Sequence, residues 1–190
     1  MLSPLHGRPD ILAERLLYRF GSIARIAQAS EIELRGVADK GDVWIDAFLM
    51  VRRLMHDGMR EEITRTRLGE NRHALCTYLL ATMQKLQEER MIAIFADYEG
   101  YVICEETIAE GSTGHLLLTP RRIFGRAMNL DAGRILLAHN HPSGSAQPSM
   151  LDINTTRALV RQAGELGLFI DDHLIVGKRE VFSMKDRGLM

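Results

Sequence analysis

Residues Leu136–Asp152 read LLAHNHPSGSAQPSMLD, a stretch that joins two elements of secondary structure and carries two closely spaced histidines. An apolar run ends in His139 and His141, Pro142 and Gly144 break it, and Ser149 and Asp152 follow where a helix begins. In extended backbone, residues i and i+2 point to one side, so both imidazoles share a face and Asn140 takes the other. Ser149 suits the cap position and Asp152 the third position of the helix, a capping-box spacing with Asp in place of the usual Glu or Gln. That pattern alone predicts no chemistry. Two neutral imidazoles and a carboxylate also suffice to hold a catalytic zinc with a fourth position open, and a helix N-terminus keeps Asp152 ionised. Cap and metal site are both allowed, with Zn2+ favoured by the nitrogen-rich donor set.

Around this stretch the period of apolar residues assigns the elements. MIAIFAD and YVICEET, joined by the turn-prone EG, predict a hairpin whose second strand places Val102, Cys104 and Glu106 on one face. TPRRIFGRAMNLDA predicts a helix opened by proline, with Ile123, Met128 and Leu130 at helical spacing. RILLAHN reads as a strand buried on both faces, INTTRALVRQAGELG as a helix stopped at Gly167, and FIDDHLIVG with EVFSM as two more strands around GKRE. The order β-β-α-β-α-β-β describes an α/β, or layered α+β, arrangement of a mixed sheet against helices.

Before Glu89 the pattern is helical. ILAERLLYRF, SIARIAQAS and VWIDAFLMVRRLMHDG predict short helices, the last two separated by the polar turn VADKGD, and Arg72–Leu86 predicts one more. We divide the chain into a helical unit, 1–70, and a sheet-containing unit, 71–190. Arg52, Arg53, Arg60, Arg65 and Arg67 make the junction basic, but Asp57, Glu61 and Glu62 interrupt it, so a solvated helix face or linker is expected.

With 190 residues, 46% of them hydrophobic, the chain can bury a substantial core. Lys and Arg number 24 against 25 Asp and Glu, which excludes a global basic footprint for nucleic acid. Cys76 and Cys104 form no CxxC unit, so neither a thiolate zinc site nor a disulfide scaffold is expected, and a cytoplasmic protein is the simplest expectation. No apolar run reaches the ~20 residues that cross a bilayer, and MLSPLHGRPD does not look like a secretory signal, so no membrane partner is expected.

His139, Asn140 and His141, seven further residues, Ser149, two more and Asp152 resemble the HxH-x7-S-x2-D signature of the JAMM, or MPN-plus, metalloenzymes. HNHPSG resembles the bacterial RadC family within that superfamily, as do Thr119–Arg121, Asp172 with His173, and VFSMKDRGL, so the likeness runs from about Glu89 to Met190. It implies a JAMM/MPN metalloprotease-like domain with a cytidine-deaminase-like sheet and flanking helices, preceded by a small helical unit. It implies Zn2+ held by His139, His141 and Asp152, with a metal-activated water attacking the amide or isopeptide bond of an unknown peptide or protein. Glu106 is then the general base, from its spacing to Gly111, and Glu105 and Glu110 are expected to be solvent-exposed. Ser149 is the oxyanion donor, and His173 is a structural residue or supports a ligand.

LRGVADKGDVWIDAF resembles the helix-hairpin-helix unit that precedes this domain in the family, with Asp39 where the first turn glycine would be and only Gly41 retained. A carboxylate there opposes a phosphate, so DNA contact is not favoured. The second functional reading is a non-enzymatic, metal-stabilised binding module serving DNA repair or recombination. Nucleobase deamination lacks its H-x-E and P-C-x-x-C motifs, and neither HExxH nor GxSxG occurs.

Overall fold

The computed structural model describes residues 7–39, 42–111 and 119–190. The chain divides into two compact units, Met1–Asp57 and Gly58–Met190. In the first, helices α1 (Pro9–Phe20), α2 (Ile23–Gln28) and α3 (Glu31–Arg35) lead into α4 (Trp44–Thr64), which runs on past the unit's end. Leu12, Leu16, Leu34, Trp44 and Ile45 form its buried core. Ser30 caps α3 through a capping box with Glu33, which satisfies two N-terminal donors that the short helix cannot pair internally. Asp39 accepts a hydrogen bond from Arg15 Nη1 at 2.9 Å, and Gly41 lies outside the described residues.

The second unit adds α5 (Arg72–Met83), β1 (Glu89–Ala96), β2 (Val102–Gly111), α6 (Pro120–Asn129), β3 (Arg134–Asn140), α7 (Met150–Glu165), β4 (Phe169–Val176) and β5 (Val181–Ser183). The strands lie in the order β2-β1-β3-β4-β5, with β3 and β4 parallel and the other neighbours antiparallel. The parallel pair needs a crossover, and α7 supplies it. Alternation along β1 and β3 divides their side chains between two cores, as expected of central strands buried on both faces. Met91, Ala93, Phe95, Ile135 and Leu137 pack against α6 and α7, whereas Ile92, Ile94, Leu136 and Ala138 pack against α5. Phe95 is fully buried in the first core. Phe95→Ala is expected to cost about 3–5 kcal/mol of stability in chemical denaturation, because the sheet cannot collapse onto the void.

Two details depart from the expected pattern. Phe95 pairs with Cys104 but Ala96 pairs with Val102, so a register irregularity at Ile103 turns Val102 and Cys104 to opposite faces. Cys104 shares its face with Glu106, and Val102 faces the α5 core. On α6 the buried residues are Ile123, Phe124 and Ala127, while Met128 is exposed. The basic stretch at the junction is a helix face as expected, with Arg52 bonded to the Ala29 carbonyl and Arg65 paired with Glu61. Arg67 lies over the ring of Tyr101.

Candidate metal centre

The odd-numbered series Ile135, Leu137 along β3 ends in His139, so the strand that builds the α6/α7 core also carries the first imidazole to that face. Asn140 takes the opposite side, where it accepts from Arg90 N and donates to the Glu88 carbonyl, tying the start of β1 to the end of β3. His141 follows the strand, its backbone N–H donating to Val176 O at 3.0 Å. The chain then reverses at Gly144, whose φ of 90° lies in the left-handed region. Its carbonyl accepts from Lys178 N, and Gly177 approaches so closely that an added Cβ would lie 2.7 Å from that oxygen. The close approach of the β4–β5 turn therefore depends on a missing side chain at Gly177.

Ser149 caps α7, accepting from Asp152 N at 3.1 Å, while the Asp152 carboxylate accepts from Ser149 N at 2.7 Å and Ser149 Oγ at 2.6 Å. The capping box is thus real. It also aims Asp152 at the histidines: Oδ1 lies 3.3 Å from His139 Nε2, and Oδ2 lies 3.4 Å from His141 Nε2. The two Nε2 atoms are 2.9 Å apart. Tetrahedral zinc with bonds of about 2.0–2.1 Å has donor–donor edges of roughly 3.3 Å, so the carboxylate distances match such an ion and the two imidazoles would open slightly to admit it. Among the described residues, His139, His141 and Asp152 form a group able to hold a metal ion.

The donor chemistry agrees with that fit. His141 Nδ1 lies 3.0 Å from the Ser145 carbonyl, which can only accept, so a neutral His141 carries its proton there and leaves Nε2 bare. His139 Nδ1 faces Nε2 of the buried His173 at 2.8 Å. A bare imidazole nitrogen and a carboxylate facing one centre favour a cation between them. Burial alone would raise the Asp152 carboxyl, but its contacts with His139 and His141, which favour the charged pair when an imidazole is protonated, and the hydrogen bond from Ser149 outweigh it and hold the group far below the usual carboxylate range. The hydrogen bond to Asp152 raises His141 against the opposing effect of burial, and burial pushes His173 well below its ordinary value. The side chain of His139 is 2% exposed, against 14% for His141 and 18% for Asp152, and Ser149 is exposed, so the cluster is closed beneath and open beside the cap.

These shifts set a pH window for the metal-free protein. A raised His141 stabilises the fold below its unfolded value of ~6.5 and loses that contribution as pH rises through its folded value. A lowered Asp152 contributes above ~3.9 and loses its contribution on acidification. The pair should therefore stabilise the metal-free chain most between roughly pH 4 and 6.5. The buried, neutral His173 works the other way, losing stability as pH falls below ~6.5, so the check is the difference in denaturation between the wild type and His141→Ala against pH, which should be largest in that window. Because a metal needs His141 deprotonated, metal affinity should fall on acidification at higher pH than for an unperturbed histidine.

Glu106 lies on the same sheet face but outside this group. Ala93 stands opposite both Glu106 on β2 and Leu137 on β3, so Glu106 is two strands away and one pleat back from His139. The β2 residue level with His139 is Ala109, through Met91. The Glu106 carboxylate accepts from Arg126 Nε at 2.8 and 2.9 Å and from Nη2 at 2.5 Å, and these bonds hold it below the ordinary glutamate range. Glu110 is exposed as expected and pairs with Arg90. Glu105 is not: its side chain is 11% exposed and its carboxylate accepts from Tyr78 Oη beside Arg60. Alternation directs it onto the α5 face, where the tyrosine hydroxyl satisfies it.

The RadC-like JAB domain family matches residues 69–189. The chain belongs to that family. It is 32% identical to a UPF0758 protein of Rhodobacter capsulatus over 96% of this chain and 86% of the relative. It is 33% identical to one of Ruegeria pomeroyi over 96% and 83%, and 34% identical to one of Protochlamydia amoebophila over 94% and 78%. The JAB domain's His-His-Asp group is compatible with a metal-dependent hydrolase. No helix among the described residues is long and apolar enough to cross a membrane.

Sequence reasoning paired Ser149 with Asp152 and considered His173 in a supporting role, but it missed Thr156, whose hydroxyl lies 2.6 Å from His173 Nδ1. A signal was present, since Thr156 stands one helical turn after Asp152 on the same face of α7. The Glu106–Arg126 pair joins two elements and had no local signal.

Proposed function

We propose that this protein is a zinc-dependent hydrolase acting on an amide or isopeptide bond, with His139, His141 and Asp152 as the metal ligands. The observation that carries the reading is the convergence of two Nε2 atoms, 2.9 Å apart, and a carboxylate whose oxygens lie 3.3 and 3.4 Å from them, with one bare imidazole nitrogen fixed by the Ser145 carbonyl. When bound, zinc supplies Lewis acidity and brings the pKa of a coordinated water toward about 7. The chain's own residues orient the substrate and move the protons. Ser149, at the open side of the cluster, is proposed to donate its hydroxyl to developing negative charge on the substrate carbonyl oxygen, redirecting the proton it gives to Asp152. Glu106 is proposed to accept the proton of the attacking water, a role that requires its carboxylate to leave Arg126.

A second reading keeps the metal and drops the turnover, making the protein a metal-stabilised binding module. The hold of Arg126 on both Glu106 oxygens favours it. For both readings the first measurement is metal analysis of protein purified without chelator. About one zinc per chain is expected; metal-free protein that takes up no zinc on reconstitution rules both out.

A further inference from the structure

One set of hydrogen bonds runs behind the three ligands and returns to one of them. Its members are fully enclosed: His139 and His173 are 1% exposed and Thr156 is 0% exposed. Thr156 Oγ1 lies 2.6 Å from the main-chain carbonyl of Asp152 and 2.6 Å from His173 Nδ1. His173 Nε2 lies 2.8 Å from His139 Nδ1. Along this path each contact at such a distance needs a proton between its atoms, whereas the 2.9 Å contact of His139 Nε2 with His141 Nε2 borders the candidate ion position, where a cation takes the place of a proton.

The protons can be counted along this path. A carbonyl has none to give, so the single hydroxyl proton of Thr156 lies on the Asp152 oxygen, a far better acceptor than Met184 Sδ at 3.5 Å. The contact between Thr156 and His173 then needs the imidazole's proton on Nδ1. A neutral His173 has no second proton, so its Nε2 accepts, and the donor is His139 Nδ1–H. His139 Nε2 is left bare, facing His141 Nε2 and Asp152.

We propose that Thr156 and His173 are positioning residues that lock His139 in the Nδ1–H tautomer by relaying the main-chain carbonyl of Asp152 through two side chains. The proposal rests on the reading that His139, His141 and Asp152 hold a metal. One ligand's backbone thereby sets the tautomer of another, so helix α7 and strand β3 deliver a matched pair of donors. The acceptor behind His139 is a neutral imidazole rather than a carboxylate. It orients the ring without adding the negative charge by which a carboxylate raises ligand basicity. The Asp172 side chain accepts from the backbone N–H of His173 at 2.8 Å and from Ser183 Oγ at 2.6 Å, which fixes the strand position from which His173 reaches across.

The test uses the full chain and two readouts. Long-range proton–nitrogen NMR spectra of the metal-free wild type, recorded at about pH 8.5 where imidazoles are ordinarily neutral, are expected to show both His139 and His173 protonated on Nδ1. Protonation of either on Nε2 overturns the proposal without any variant. Zinc affinity, measured by competition with a chelator, should fall roughly 10–100-fold in Thr156→Val and stay within about threefold of wild type in Thr156→Ser, the range expected for loss and retention of an outer partner. His173→Gln, whose amide oxygen can accept from His139, should retain more affinity than His173→Leu. Wild-type affinity and unchanged His139 spectra in Thr156→Val overturn the proposal. A wild-type chain that binds no zinc overturns the metal reading instead, and the metal-free spectra still decide the proton placement.

Discussion

Asp152→Asn is expected to empty the JAB domain of metal while leaving it folded. The carboxylate oxygens lie 3.3 and 3.4 Å from the two imidazole Nε2 atoms and supply the one negative charge among the three donors. An amide keeps the shape but offers a weaker oxygen and points N–H toward nitrogens that should receive a cation. Affinity should fall by at least about 100-fold, beyond the 10–100-fold seen when a supporting partner is lost. The fold should survive, because asparagine oxygen can still accept from Ser149 N and preserve part of the capping box. Asp152→Ala removes that partner as well and should cost about 0.5–2 kcal/mol more in the metal-free state. Zinc content by mass spectrometry, with thermal denaturation in chelator, separates the two effects. Retention of one zinc per chain in the asparagine variant would remove Asp152 from the ligand set.

Glu106→Gln should leave metal content unchanged and reduce hydrolysis of a panel of peptide and isopeptide amides by roughly 10²–10⁴, the usual contribution of a general base. The variant separates the enzymatic from the binding reading, because in the latter it merely weakens a half-exposed ion pair worth about 0.2–1 kcal/mol. The Glu106 and Arg126 side chains are 33% and 39% exposed, so solvent screening limits that contribution. Arg126→Gln offers the complement. With the guanidinium gone, the Glu106 carboxyl should titrate higher than in the wild type, and the acid limb of the pH–rate profile should move up with it. Full activity in Glu106→Gln would move the proton acceptor elsewhere.

Much of the candidate site could be read locally. His139 and His141 follow from strand period, Ser149 and Asp152 from cap spacing, and the turn between them from Pro142 and Gly144, because each depends on a few neighbouring backbone torsions. The strands and helices of the JAB domain were legible for the same reason: buried strands and amphipathic helices announce themselves by period. The faces of β2 were not. A one-residue irregularity at Ile103 changes the phase of alternation there, a second follows at Ile108, and such bulges are set by pairing with β1 rather than by the residues themselves. The first is why Val102 and Cys104 part, while Glu105 is buried because α5 brings Tyr78 over the face to which alternation turns it.

By itself, then, the sequence determined the candidate donor set, the cap that presents Asp152 and the order of elements around them. Tertiary structure decided which atoms those donors turn to the centre and what stands behind them. His173 reaches His139 and Thr156 only because β3 and β4 pair in parallel beneath α7, and Arg126 meets Glu106 only because α6 packs on the same face. Tautomers and ion pairs depend on partners a few ångströms away in space, and the distance along the chain between such partners carries no periodic signal.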